Sequence, residues 1–330
     1  MLRQAFFGVV FTVALGAVSM TSRGVPDQPA PAPSRPPADI PFSRLTPDAT
    51  IATAFQPGAV ASDDAVWVPG RETGTVTRIE TKGNTVGTPI AVGLEPCASL
   101  VLAFDSLWVP LCGEKGIARV DLKEPKVTAT VALQVASGAG RIASSVGSIW
   151  AVTDRKGVLS RIDPDTNAPV AEVYVPGGAA AVAAGTDALW ITSEGGGRLT
   201  RVSPHNHEVI EEIAVGPKPV RLAVGEGGIW ILNGDGTVTR VDPDTNKVVA
   251  TISLGGAMRD GDIAAGAGSV WVSATGSPIV RIDPRTNRAV QRFTGQGGGA
   301  ILVAHGSLWV AAEAETTWRL DPRLVAAVRP

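Results

Sequence analysis

Short apolar runs separated by turn residues recur along most of the chain. Residues 219–255 show the pattern: two apolar runs, 219–224 and 229–232, are followed by two runs that alternate between apolar and polar residues, 237–242 and 247–254. Turn sequences rich in Gly, Asn and Asp separate the four runs. Runs of this length between such turns are typical of β-strands joined in hairpins. The pattern therefore predicts a four-stranded antiparallel sheet.

Seven of the eight tryptophans mark a repeat of about 40 residues. Their successive separations are 41, 42, 40, 40, 41 and 38 residues, and an arginine follows each of them ten or eleven residues later. The tryptophans are Trp67, Trp108, Trp150, Trp190, Trp230, Trp271 and Trp309, and the arginines are Arg78, Arg119, Arg161, Arg201, Arg240, Arg281 and Arg319. No unit contains an apolar run of helical period, which excludes helical repeats.

The second strand of a unit is apolar on both faces, as in the run from Ile229 to Leu232. We expect this only where a sheet lies between two other sheets, with tryptophan filling the wedge between them. Seven such units, closed on themselves, predict an all-β fold: a seven-bladed β-propeller with four antiparallel strands per blade. We interpret the repeated arginines as structural, pairing with backbone or with an acid of the neighbouring blade. The segments Asp163–Asn167, Asp242–Asn246 and Asp283–Asn287, of the form Asp-Pro-x-Thr-Asn, are predicted turns.

A closed ring needs one blade that joins the two ends of the domain. Residues 49–55, followed by Gly58, resemble the outer strand 248–254 followed by Gly255. The last unit ends in a shorter stub, residues 324–328. We predict that residues near 49–55 provide the outer strand of the last blade, with the stub as the competing candidate.

The N-terminal residues have the pattern of a targeting segment. Arg3 precedes a largely apolar run over residues 5–18, which is short for a membrane span and typical of a signal peptide. We predict a signal peptide over residues 1–19, although a retained anchor is the alternative. Eight prolines between residues 24 and 47 indicate a disordered linker over residues 20–47. The propeller is then expected to span residues 48–330 as a single domain.

The charge of the chain narrows the classes of partner. Lys and Arg number 29 against 31 Asp and Glu, which gives a net charge of −2. This leaves no basic field for nucleic acid or anionic lipid. We therefore expect no nucleic-acid partner. From the predicted signal peptide we expect an exported protein, periplasmic or extracellular, without a membrane span in the mature chain, and we expect it to be a monomer. Its partner would be a protein or a small molecule.

The two cysteines lie on either side of one predicted hairpin. Cys97 precedes the first strand of the second unit and Cys112 follows its second strand, so an antiparallel hairpin around residues 104–106 places them opposite each other. In an exported protein this geometry favours a disulfide.

The repeat, in its form Thr237-Val-Thr-Arg-Val-Asp-Pro-Asp-Thr-Asn246, resembles the units of virginiamycin B lyase-like and YVTN-type seven-bladed β-propellers of bacteria. The resemblance covers residues from about 48 to 330. It implies the propeller fold. For the lyase it implies ring opening of an antibiotic by elimination, with a central histidine, glutamates and magnesium. In this sequence no histidine lies in a loop between an outer strand and the next inner strand, where that residue is expected.

Functional residues are expected where one unit departs from the others. In a propeller, the loops after the second strands and the loops between blades lie on one face, around the channel. Acids and arginines in these loops are our ligand-binding candidates: Asp154, Glu194, Glu313, Arg141, Arg221 and Arg259.

Two interpretations of each set stay open. Asp154, Glu194 and Glu313 are candidates to hold Mg or Ca, or else belong to an ordinary solvated rim. Arg141 and Arg221, which lie nine residues before their tryptophans, suit an anionic ligand or pair with Asp154 or Glu194.

Two hypotheses of function follow. The first is an exported binding or scaffold propeller, without a cofactor and with its ligand or protein partner on the channel face. The second is a metal-dependent enzyme of the lyase-like or lactonase-like kind, with the three acids at the channel mouth. A purely structural surface protein is a third possibility.

Overall fold

A computed structural model describes residues 37–97, 100–136, 142–258, 260–313 and 315–329. The predicted signal peptide and the first part of the predicted linker lie outside the described residues, and both stay predictions. Within the described ranges the chain forms seven sheets arranged as the blades of a propeller, almost without helix. The predicted fold class is confirmed.

The first two strands precede blade 1 in the chain, and the next thirteen form blades 1 to 3. They are β1 (Asp39–Pro41), β2 (Ala49–Ile51), β3 (Val60–Ala61), β4 (Ala65–Gly70), β5 (Thr75–Glu80), β6 (Thr85–Val86) and β7 (Ile90–Ala91), then β8 (Val101–Ala103), β9 (Ser106–Leu111), β10 (Gly116–Asp121) and β11 (Val127–Val131) in blade 2, and β12 (Ile142–Ser145), β13 (Ser148–Asp154), β14 (Val158–Asp163) and β15 (Ala168–Tyr174) in blade 3. In blade 1, β7 continues the outer edge by pairing with β5.

The remaining strands form blades 4 to 7. They are β16 (Ala181–Ala184), β17 (Leu189–Ser193), β18 (Arg198–Val202) and β19 (Val209–Ala214), then β20 (Pro219–Gly225), β21 (Gly228–Asn233), β22 (Thr237–Asp242) and β23 (Lys247–Ser253), β24 (Asp262–Gly266), β25 (Ser269–Ala274), β26 (Ser277–Asp283) and β27 (Arg288–Thr294), and finally β28 (Ile301–Ala304), β29 (Ser307–Glu313) and β30 (Thr316–Leu320). In blade 5 each strand begins and ends within two residues of its predicted bounds.

The predicted outer turns form as their residue types require. In the turn after β22, the Asp242 carboxylate accepts hydrogen bonds from the N–H groups of Asp244 and Thr245, at 3.0 and 2.9 Å. Asn246 closes the turn in the left-handed region, at φ 58°, which asparagine tolerates better than most residues. The hydrogen bonds at Asp242, chiefly from Thr245, hold the pKa of its carboxyl below its usual range.

The core consists of seven apolar clusters, one at each junction between neighbouring blades. Every cluster contains one of the repeated tryptophans, and each of these seven side chains is at most 1% exposed. The cluster around Trp309 of blade 7 also contains Val66, Val68 and Ile79 of blade 1. Since this junction joins the last blade to the first, the ring is closed.

The repeated arginines link each blade to the next. Arg201 of blade 4 donates to the Pro243 carbonyl oxygen and to Asn246 Oδ1 in the outer turn of blade 5, at 3.2 and 3.0 Å. Arg119, Arg240 and Arg319 make the same two contacts with the turn of the following blade. Each of these four guanidinium groups also lies over the tryptophan of its own blade.

Where the following turn lacks the asparagine, the arginine finds another partner. Arg161 meets the imidazole of His207, which stands at the asparagine position of blade 4, with 3.4 Å between Nη1 and Nε2. Arg78 pairs with Asp64 at 2.7 Å and with Glu80, both within blade 1. Arg281 donates to Gln291 at 2.5 Å. We expected the repeated arginines to pair with backbone groups or with neighbouring acids. The structure shows that asparagine and histidine side chains are also among their partners.

The outer strands bend at the same place in blades 2 to 6. Each pairing of the third with the fourth strand shifts register directly after the repeated arginine, as between Arg240 and Val241. The shift is a β-bulge, in which one extra residue of the outer strand stands unpaired. In blade 5 this residue is Val249, which is 40% exposed.

The N-terminal segment closes the ring as predicted. β2 pairs antiparallel with β30, from Ala49 opposite Arg319 to Ile51 opposite Thr317, and so is the outer strand of blade 7. The competing stub instead forms a helix, α1 (Pro322–Ala327), which Asp321 caps by accepting from the Arg323 N–H. No helix in the described part of the chain has the length and apolar character needed to cross a bilayer.

Ordered structure begins earlier than the sequence indicates. β1 adds a fifth, parallel strand to blade 6 by pairing with β27, and a single 3-10 turn over residues 42–44 follows it. Ile40, Phe42 and Leu45 are buried in the cluster between blades 6 and 7. The propeller therefore recruits residues before Asp48, because three apolar side chains among the prolines fill that junction.

The arginine contacts between blades can be tested at Arg240. Replacing it with methionine removes the hydrogen bonds to the Pro284 carbonyl and Asn287, at 2.7 Å each, while keeping an apolar stem over Trp230. We expect the free energy of unfolding, measured by urea denaturation, to fall by about 1–3 kcal/mol. Arg285→Met, at an 89% exposed arginine in the neighbouring turn, is the control and should be neutral. Equal effects of the two variants would contradict the structural role.

The early start of the fold can be tested at Phe42. This ring is 5% exposed and stacks on Trp318, with 4.6 Å between ring centroids. We expect Phe42→Ala to lower the free energy of unfolding by about 3–5 kcal/mol, because it leaves a cavity between blades 6 and 7. Leu324→Ala, at a 61% exposed position of α1, serves as control. An unchanged urea midpoint for Phe42→Ala would show that the segment does not contribute to the fold.

Candidate functional site

Two sets of loops meet on one face of the ring, which we call the channel face. The loop after a second strand bonds to the loop that enters the same blade: Cys112 N–H donates to the Glu95 carbonyl oxygen at 2.8 Å, and Gly234 N–H donates to that of Lys218 at 2.9 Å. These contacts place both loop sets on one side, as predicted. Residues in which one blade differs from the others therefore lie on the same face of the ring.

A disulfide fixes the channel face at blade 2. Cys97 and Cys112 are bonded, with 5.5 Å between their Cα atoms, and the strand-like pairing of Pro96 with Leu111 lies beside them. The predicted pairing is confirmed. It closes a loop of 15 residues, for which loop entropy gives a stabilisation of about 3 kcal/mol.

The three candidate acids are not brought together. Asp154 ends a strand of blade 3, Glu194 lies in a loop of blade 4, and Glu313 ends a strand of blade 7, three blades away around the ring. Asp154 Oδ1 accepts from the Lys156 N–H at 2.8 Å, which is a local turn contact. Within the described ranges, no three His, Cys, Asp or Glu side chains are close enough to hold a metal ion. This arrangement does not fit the magnesium or calcium site expected from these acids.

Of the three candidate arginines, the structure describes only Arg221. Arg141 and Arg259 lie outside the described residues. Arg221 is half-buried at the start of the inner strand of blade 5, and its Nε lies 4.0 Å from Oδ1 of Asp262 in blade 6. Its acidic partner is thus Asp262, rather than Asp154 or Glu194. The reason is positional, because Arg221 and Asp262 each precede their tryptophan by nine residues and adjacent inner strands place such positions side by side.

Asp262 connects three blades at the channel wall. Besides facing Arg221, its carboxylate accepts from its own strand at Ile263 N–H, at 3.0 Å, and from Ile301 N–H of blade 7, at 3.2 Å. Burial raises the pKa of Asp262 above its ordinary value, although the Arg221 charge and the two N–H donors act in the opposite direction. Burial likewise lowers the pKa of Arg221, against the charge of Asp262.

A cleft of about 420 Å³ opens on the channel face at blades 3, 4 and 5. Four loops line it. The loop after β13 contributes Arg155, the loop after β17 contributes Glu194 and Gly195, and the connections between blades contribute residues 177–180 and Lys218. Glu194 is the acid of the predicted set that lines this cleft.

Glycines create the space in this cleft. The loop of blade 4 reads Glu194-Gly-Gly-Gly197, and no other blade has three successive glycines in this loop. The connection between blades 3 and 4 packs closely against the loop that carries Arg155. A Cβ on Gly178, at φ 90°, would lie 2.7 Å from the Arg155 carbonyl oxygen. At Gly195 the nearest atom to a built Cβ is 4.0 Å away, so this position faces open space.

Two cations and one carboxylate line the cleft. Arg155 Nη2 lies 3.2 Å from Glu194 Oε2, and both side chains are substantially exposed, at 60% and 43%. Lys218 makes no ion pair and no side-chain hydrogen bond within the described residues. Its stem lies against Gly234, where a Cβ would meet Lys218 Cβ at 3.2 Å. The cleft therefore carries one uncompensated positive charge.

A second cleft, of about 440 Å³, lies where blade 7 meets blade 1. Its lining is rich in threonine, and two of these hydroxyls, those of Thr73 and Thr75, bond to each other at 2.7 Å. Arg71 in this cleft lies 3.9 Å from Glu95. The cleft at blades 3 to 5 is the stronger candidate site, because it offers a cation without a protein partner.

Sequence reasoning missed Arg155, Lys218 and the glycines of this cleft. Each was inconspicuous, since exposed cations and loop glycines occur throughout the chain. One signal was present: the run Gly195–Gly197 directly follows a predicted site residue and departs from the other units.

Comparison with solved structures supports the fold. Streptogramin B lyase matches with a TM-score of 0.66 at 18% identity, over 81% of this chain and 93% of that chain. Virginiamycin B lyase from Staphylococcus aureus matches at 0.67 and 17%, over 82% and 97%. BamB from Moraxella catarrhalis matches at 0.61 and 12%, over 84% and 100%. No protein-family model and no curated protein matches the sequence.

The chain is a seven-bladed β-propeller. Its fold is like that of virginiamycin B lyase, in agreement with the resemblance of the repeats. At these identities the likeness concerns the fold alone. Similar structures include this lyase, which is an enzyme, and the WD40 propeller domain of Doa1. The fold is therefore compatible with a binding or scaffold role and with catalysis.

The charge state of Asp262 can be tested through the pH dependence of stability. A raised pKa means that the folded chain binds this proton more tightly than the unfolded chain, so the contribution of Asp262 is present below the unfolded pKa and is lost as pH rises through the folded pKa. We expect the unfolding free energy of the wild type, minus that of Asp262→Asn, to fall as the pH rises from about 4, the ordinary pKa of aspartate, towards neutral pH.

Urea titrations of both proteins across this range provide the measurement. Taking the difference removes the opposite trend of acids with lowered pKa, such as Asp64 and Asp121, which both proteins share. A difference that increases with pH would show that Arg221 outweighs burial.

Proposed function

We propose that this protein is an exported binding propeller whose cleft at blades 3 to 5 takes a small molecule on the channel face. One observation carries the proposal: the charged groups of the cleft are ones that the repeat does not need. Arg155, Lys218 and the glycines take no part in the tryptophan clusters or in the arginine contacts between blades. In a repeat protein, such departures indicate function rather than folding.

The size of the cleft supports a small ligand. About 420 Å³ is within the range of small-molecule sites, roughly 300–1,000 Å³. Its walls come from four loops on a rigid ring of sheets, which suits a preformed site. Charged side chains of opposite sign line the cleft and can orient a bound ligand.

Export is proposed from two features. The N-terminal apolar run is typical of a signal peptide. The bond between Cys97 and Cys112 is of a kind that persists in oxidising compartments. A lyase-like reaction is the alternative function, but the acids predicted to hold its metal are spread over blades 3, 4 and 7.

Filling the cleft tests the proposal. Gly195→Trp places a large side chain where a Cβ has open space and the backbone has no left-handed conformation, so we expect stability to change by less than about 1 kcal/mol. A thermal-shift screen of small carboxylates, amines, sugars, nucleotides and short peptides is run on the wild type and the variant. We expect every ligand of the wild type that binds in the cleft to be lost.

Gly256→Trp is the matched control. Gly256 also lies in a channel-face connection, has no atom within 4 Å of a built Cβ, and does not line the cleft. It should bind as the wild type does. Ligands retained by Gly195→Trp, or a screen without any ligand for the wild type, would overturn the proposed function.

A further inference from the structure

We infer that the ligand of this cleft is a small monoanionic carboxylic acid with a hydrogen-bond donor beside the carboxylate, as in a hydroxy acid or an amino acid. The inference rests on the proposed function, since it names the ligand class of the same site. Lys218 is assigned to the carboxylate and Glu194 to the donor of the ligand.

Lys218 is positioned to bind an anion. It is exposed in the cleft and stands directly before the inner strand of blade 5. The hydrogen bond from Gly234 N–H to its carbonyl oxygen, at 2.9 Å, fixes its backbone. Its ammonium has no ion pair within the described residues, although it shares a cleft with Glu194. A carboxylate bound there gains a charge-assisted hydrogen bond without displacing a protein partner.

Backbone donors add to this preference for an anion. The N–H groups of Gly177, Gly178 and Gly195 donate to no acceptor within the described residues, and all three glycines line the cleft. Loop N–H groups that are not used by the fold are common partners of bound anions.

The pair of Arg155 and Glu194 sets the charge that the cleft accepts. Since these two groups largely neutralise each other at 3.2 Å, one positive charge is left for the ligand. A dianion such as phosphate would bring a second negative charge close to Glu194, which is unfavourable. Glu194, 43% exposed, also offers an oxygen to accept a hydrogen bond from a hydroxyl or an ammonium group. A monoanion with a neighbouring donor therefore matches the cleft best.

Four probes separate these features: glycolate, glycine, propionate and inorganic phosphate. Each is titrated into the full mature protein labelled with 15N, and the amide signals of Gly177, Gly178 and Gly195 are followed by NMR. We expect saturable shifts with glycolate and glycine, weaker binding of propionate because it lacks the donor, and no saturable shift with phosphate.

Charge variants locate the site. Lys218→Glu should weaken glycolate binding at least about tenfold, and Lys218→Met, which keeps most of the stem, should weaken it as well. Lys156→Glu makes the same charge change beside Arg155 but outside the lining residues, and should change binding less than about twofold. Unchanged circular dichroism and thermal unfolding establish that the variants are folded.

The titrations test the ligand class separately from the proposed function. Tighter binding of phosphate than of glycolate, or equal binding of glycolate by Lys218→Glu and the wild type, overturns the inference. If none of the four probes binds, the ligand class is wrong. The proposed function still stands in that case if the screen yields another ligand that Gly195→Trp loses.

Discussion

Packing of an indole ring between two sheets is the interaction on which the structure depends. Each repeated tryptophan fills one junction, and the junction at Trp309 joins the last blade to the first. The arginine that follows lies over the indole in five blades, and in four of these it reaches the outer turn of the next blade. One short sequence pattern therefore determines the core of a blade and its attachment to the neighbouring blade.

Because the tryptophans and arginines hold the blades together, the residues on the channel face can vary. The tryptophans and their arginines act in the interior and at the outer turns, whereas the charged side chains of the cleft on the channel face take no part in these contacts. Arg155, Glu194 and Lys218 can therefore differ from their counterparts without weakening the junctions between blades. The half-buried pair of Arg221 and Asp262 shows the same freedom at the channel wall, where one blade carries a cation and the next an anion.

Features that depend on local pattern were predictable from the sequence. The strands of blade 5, the closing strand near Ala49 and the disulfide follow from alternation, turn residues and hairpin symmetry. Features that depend on which blades are neighbours were not. The strand at Asp39–Pro41 is parallel and lies among prolines, so only its packing against blade 6 reveals it. The cleft is lined by four loops from three blades, and no spacing in the sequence predicts that its glycines leave a cavity.

The bulges of the outer strands have a consequence for solubility at high concentration. A flat, unpaired strand edge can recruit a strand from another molecule, which begins aggregation. In blades 2 to 5 the outermost strand is kinked halfway along, and in blade 6 the parallel strand β1 covers the edge. The outer edges of blades 2 to 6 are thus interrupted or covered, and we expect this to keep separate molecules from pairing edge to edge at these blades.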